Sequence, residues 1–96
     1  MAEPVRFTTA IKPLFRQIDI DHMKPYNVYL NDYNWMSDPA DGTVGDCDNF
    51  ADHAHARSVL AFLKGACIPQ MPIGGPFWDQ AKLDFFEQWM EDGFQE

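Results

Sequence analysis

The sequence predicts an all-α domain of three to five helices with long connecting loops. Two long stretches repeat apolar residues at three- and four-residue spacing, no stretch alternates strictly between apolar and polar, and Ser, Asp, Pro and Gly collect between the periodic stretches. Ninety-six residues make one unit, 1–96, because a chain of this size cannot bury enough surface for two cores.

The first helix is expected in "TTAIKPLFRQIDIDHM", capped by Thr8 or Thr9, with Pro13 in its opening turn. Its apolar side would be Leu14, Phe15 and Ile18, and its polar side Arg16 and Gln17. In "KPYNVYLNDYNW" the pattern is aromatic and fits a short helix over 28–33 or an extended turn, and the helix is expected. "SDPADGTVGDCD" is loop chemistry, ending on Asp46 or Asp48 as the next cap. From Asn49 to Gly65 a helix is expected to present Ala56, Leu60, Leu63 and Cys67, with Arg57, Ser58 and Lys64 off the stripe and Gly65 as the stop. The last helix, in "WDQAKLDFFEQWMEDGF", places Leu83, Phe86, Met90 and Phe94 on one stripe and Phe85 and Trp89 on its shoulder, and Gly93 closes it.

Composition narrows the classes of partner. A hydrophobic content of 46% with 15% aromatics supplies a core rich in large rings. Fifteen acidic against seven basic residues give a net charge of −8, which disfavours nucleic acid and anionic membrane surfaces. The opening lacks a basic segment followed by an apolar run, and no stretch reaches membrane-spanning length, so a cytoplasmic location is expected. Cys47 and Cys67 form no C-x-x-C pair, and in a reducing compartment both would be free thiols.

Around "IPQMPIGGPFW", prolines and glycines fix the path of a loop that carries one methionine, Met71. Together with the acidic-aromatic helix that follows and the opening "IKPLFRQIDIDHM", this Met71-Pro72 loop resembles small c-type cytochrome domains. The resemblance covers both ends of the chain. It implies a cytochrome c-like bundle, but the positions that should read C-x-x-C-H are Asp19, Ile20, Asp21, His22 and Met23. Covalent haem is excluded, and no cofactor is expected. If haem were held non-covalently, the resemblance points to Met71 with Met23 or His22. Otherwise Met71 fills the former haem space, packed against Trp78 and other rings.

Other clusters fall short of chemistry. "DNFADHAHA" contains Asp48, Asp52, His53 and His55, but on a helix the two histidines lie about 200° apart and cannot share an ion. The acidic loop fails an EF-hand register, since Gly42 at position six puts Pro39 at position three. Asp19, Asp21 and His22 are available as an acid-base group, yet no nucleophile or phosphate loop accompanies them.

The expected function is therefore non-catalytic: an accessory or protein-interaction domain, serving a larger enzyme or self-association, on a haem-free scaffold. Electron transfer or sensing through non-covalent haem, and a small metal-dependent enzyme, are the alternatives. Partner binding is assigned to Trp78, Phe85 and Trp89, because the final helix has a wider apolar arc than one core needs. Against this, the segment from Tyr26 to Trp35 could fold over that shoulder.

Overall fold

Pro13 and Asp19 decide how the chain begins. In place of one helix from Thr8 or Thr9 to Met23, the chain makes a π-helical turn, Phe7–Ile11, a 3-10 turn, Lys12–Leu14, and then helix α1, Gln17–Met23. Pro13 has no N–H to continue the first turn, and Phe15 is extended at φ −90°, ψ 127°. The helix restarts where the Arg16 N–H donates to Asp19 Oδ2 at 3.0 Å, and the Arg16 side chain, which has no acceptor, returns no cap bond. This start turns Asp19, Ile20 and Met23 inward and leaves Ile18 52% exposed, contrary to its expected place on the apolar side.

The computed structural model describes residues 4–45, 47–67, 71 and 77–96. Among these the regular structure is helical, with only two isolated bridges, Arg6 to Gln95 and Gly42 to Phe50. A 3-10 turn, Lys24–Tyr26, ends on Asn27 at φ 62°, a left-handed position that Asn tolerates. The next helix, α2, is Tyr33–Met36, later than the expected 28–33. Asp32 sets that start, since its Oδ1 accepts from the Trp35 N–H at 3.3 Å, while Val28 and Leu30 are fully buried without being helical.

Helix α3, Ala54–Lys64, begins five residues after Asn49 because His53 is left-handed at φ 48°. Its first donors are satisfied by backbone: His53 N–H bonds the Pro39 carbonyl and Ala54 N–H the Ala40 carbonyl, each at 3.1 Å. The loop thus replaces the expected Asp48 cap; Asp46 lies outside the described residues. Gly65 stops the helix as expected, at φ 81°, with Gly65 N–H on Phe62 O (3.2 Å) and Ala66 N–H on Ala61 O (2.8 Å). The buried face is Ala56, Ser58, Val59, Phe62 and Leu63. Ser58 was expected off the stripe and Leu60 on it; the face is rotated, and Leu60 is only half-buried.

Cys47 and Cys67 are joined by a disulfide, Cα atoms 5.0 Å apart, which corrects the expectation of two free thiols. Contact between the loop before α3 and the turn after it brings the two sulfurs together, and sequence spacing does not report such contact. Disulfides persist in oxidising compartments, so the reducing environment assumed for the thiols has no support from the fold.

Helix α4, Gln80–Glu91, is capped by Asp79, whose Oδ1 accepts from the Lys82 N–H at 3.0 Å. Gly93 at φ 94° ends it. The C-terminal strand-like residues then meet the start of the chain: Phe7 N–H donates to Gln95 O (2.8 Å), Thr8 N–H to Glu96 O (2.9 Å) and Val5 N–H to Asp92 Oδ2 (2.8 Å). Phe7 is set 5.6 Å from Trp89 by this clasp, so the two ends of the chain close over the last helix.

Candidate functional site

Met71 and Met23 are each 1% exposed and belong to one hydrophobic core. The Met71 N–H donates to the Phe62 carbonyl at 2.9 Å, so the loop methionine is pinned to the last turn of α3. His22 is one helical step from Met23, half-buried, and its Nδ1 is enclosed without a hydrogen-bond partner among the described residues. The chain's own rings occupy this interior: Phe15 lies 5.2 Å from Trp78, and Trp78 6.3 Å from Phe86. That packing does not suit a haem among the described residues.

The expected aromatic shoulder of α4 is largely internal. Trp89 is fully buried and Trp78 is 8% exposed, whereas Phe85 is 41% exposed. Trp89 is covered by Phe7, Phe86 and Phe94 at 5.2–5.6 Å and donates its Nε1–H to the Gln95 carbonyl at 2.8 Å. Of the segment from Tyr26 to Trp35, Tyr33 joins this cover, its hydroxyl donating to Phe94 O at 2.7 Å. The chain ends, distant in sequence, supply the rest. An exposed docking face of Trp78, Phe85 and Trp89 therefore reduces to Phe85, with Phe77 beside Trp78 in sequence also exposed.

Hollows with partly buried apolar walls lie between α3 and α4. Two adjoining hollows of about 230 and 310 Å³ share Arg57, Leu60 and Met90 as walls. Phe50, Ala61, Lys64 and Ala66 complete the smaller, and Glu87, Glu91 and Phe94 the larger. Lys64 pairs with Glu87 across the two helices, and Arg57 is held by Asp52, its Nε on the backbone oxygen at 2.8 Å and its Nη2 on Oδ2 at 3.0 Å. Both cations lining the groove are thus engaged, and Glu91 is left at the rim without an ion pair among the described residues. No protein family, curated protein or solved structure matches this chain.

The groove escaped sequence reasoning because Leu60 and Met90 fit the core stripes equally well; only the actual rotation of α3 and α4 leaves them half-buried.

The remaining clusters are engaged in structure. His53 Nδ1 pairs with Asp52 Oδ2 at 2.9 Å and its ring stacks on Phe94 at 3.8 Å, while His55 turns to Trp35. The two histidines diverge, but not by the expected helical spacing, since His53 is left-handed at φ 48° and precedes α3. Hydrogen bonds from His53 and then Arg57 hold the Asp52 carboxyl below the ordinary carboxylate range. Burial raises the Asp19 carboxyl, but hydrogen bonds from the Arg16 side chain and backbone outweigh it and the net is a lowered value. Among the described residues no three His, Cys, Asp or Glu side chains converge on one point.

Proposed function

We propose that this chain is a protein-interaction domain, an accessory module of a larger enzyme or complex, built on a haem-free scaffold of cytochrome c-like descent. The observation that carries the reading is the α3/α4 groove: an apolar floor of Phe50, Leu60, Ala61, Ala66 and Met90 inside a charged rim, the layout of a protein interface. The occupant it fits is a partner segment with an apolar anchor and a basic flank, because Arg57 and Lys64 are already paired and the chain carries −8 overall. Buried Met23 and Met71, with Trp78 and Phe15 in contact, support a scaffold whose interior is closed by side chains. The Cys47–Cys67 disulfide favours an oxidising compartment over a cytoplasmic one. No helix is long and apolar enough to cross a membrane among the described residues.

The test is cross-linking capture from the native host with four chains, the wild type, Ala61→Glu, Glu91→Lys and the control Tyr26→Ala, with light scattering to report self-association. A protein captured by the wild type and by Tyr26→Ala, but lost with Ala61→Glu and weakened by Glu91→Lys, is the expected result. Equal capture by all four chains refutes the groove. A second reading, electron transfer or sensing through haem on Met71 with His22 or Met23, is favoured by the unpartnered His22 Nδ1. It requires a Soret band after expression with haem supplied, and Trp78 would have to move aside.

A further inference from the structure

On the side of the molecule built by residues 26–55, a cleft of about 370 Å³ is lined by Tyr26, Asn27, Tyr29, Trp35, Thr43, Val44, Gly45 and His55. Four aromatic rings line this one small cleft, and two of them are left open: Tyr26 is 49% exposed and Tyr29 38%. Their arrangement is fixed from behind. His55 stacks on Trp35 with ring centroids 4.1 Å apart and planes 11° from parallel. Its Nδ1 lies 2.7 Å from the Trp35 carbonyl, which can only accept, so the proton is on Nδ1. Tyr29 stands at 80° to Trp35 with centroids 6.0 Å apart, so the two rings make a corner.

Charge selects what such a corner would hold. No lysine, arginine, aspartate or glutamate is among the lining residues, and the chain carries −8 overall. An anion would therefore find no donor of positive charge, and a metal ion would find one imidazole and no lining carboxylate. Ring faces on a chain of net charge −8 attract a soft cation instead, one whose charge is spread over methyl groups and which is weakly hydrated. We propose that the Tyr26, Tyr29 and Trp35 cleft binds a methylated ammonium group, with His55 holding Trp35 in place. This site stands apart from the α3/α4 groove and does not depend on it.

The experiment is an NMR titration of the full chain, following the Trp35 indole N–H, with choline, with its neutral carbon isostere 3,3-dimethylbutanol, and with a trimethyl-lysine peptide. Choline or the peptide should bind at least about tenfold more tightly than the neutral isostere, the ratio expected from one good cation-π contact. Tyr26→Ala and Tyr29→Ala, both at exposed positions, should each weaken binding severalfold without lowering the melting temperature. Tighter binding of choline identifies a free small molecule as the source, and tighter binding of the peptide a modified protein; both support the site. Equal binding of the neutral isostere, binding unchanged in both tyrosine variants, or no shift of the Trp35 signal with any cation overturns it. Groove variants such as Ala61→Glu should leave these titrations unchanged.

Discussion

Replacing Trp89 by Ala should cost roughly half of the domain's stability, whereas Phe85→Ala, four residues earlier on the same helix, should cost little. Trp89 is fully buried against Phe7, Phe86 and Phe94, and truncating a buried Trp typically costs about 3–5 kcal/mol through lost transfer and cavity energy. Its Nε1–H bond to Gln95 O adds about 1 kcal/mol. That carbonyl also accepts from the Phe7 N–H at 2.8 Å, so it is not orphaned and no larger penalty applies. A chain of this length has a total stability of about 5–14 kcal/mol, and each kcal/mol moves the melting temperature of a small domain by roughly 4–8 °C. A fall of about 20 °C or more follows for Trp89→Ala. Phe85 is 41% exposed, so its truncation should stay within about 1 kcal/mol. Thermal and urea melts followed by circular dichroism measure both. A Trp89→Ala melt within a few degrees of wild type, or equal losses for the two variants, would refute the assignment of Trp89 to the core.

Reducing the Cys47–Cys67 disulfide should lower stability by about 3 kcal/mol, the loop-closure value for its separation of 20 residues; a denaturation midpoint that does not respond to reductant would contradict this. Acid should unfold the protein partly through Asp19, Asp52 and Asp92, whose carboxyls are all lowered, the last chiefly by the Val5 N–H and then by Gln88. For a lowered folded value the unfolded chain binds protons first. The stabilisation is therefore complete above the ordinary carboxylate value of about 3.9 and lost as pH falls through the folded values below it. In Asp92→Asn the stability-pH curve should be shallower across that range, and an unaltered curve would show that the Val5 clasp contributes nothing.

Local rules in the sequence account for the helical class, the stop at Gly65 and the end at Gly93, because a left-handed glycine terminates a helix whatever surrounds it. They also account for the loop chemistry of 37–45, whereas the divergence of His53 and His55 is set by their partners Asp52, Phe94 and Trp35 and not by helical spacing. Starts were less legible. Asp19 caps α1 and Asp32 caps α2 by ordinary side-chain chemistry, yet α3 is started by the carbonyls of Pro39 and Ala40, a long-range contact that no local pattern encodes.

The sequence by itself determined that the chain is helical, acidic and rich in large rings; the expected loop around Met71 falls on 68–70 and 72–76, outside the described residues. Tertiary structure alone decided which rings are inside. Periodicity gives the relative angles of side chains on one helix but not the helix's rotation against its neighbours, nor what covers it. Trp89 is core and Phe85 surface because the chain ends meet through Phe7, Thr8, Gln95 and Glu96. Likewise, the Cys47–Cys67 bond, the α3/α4 groove and the corner of Tyr29 and Trp35 each arise from segments brought together only when the core closes.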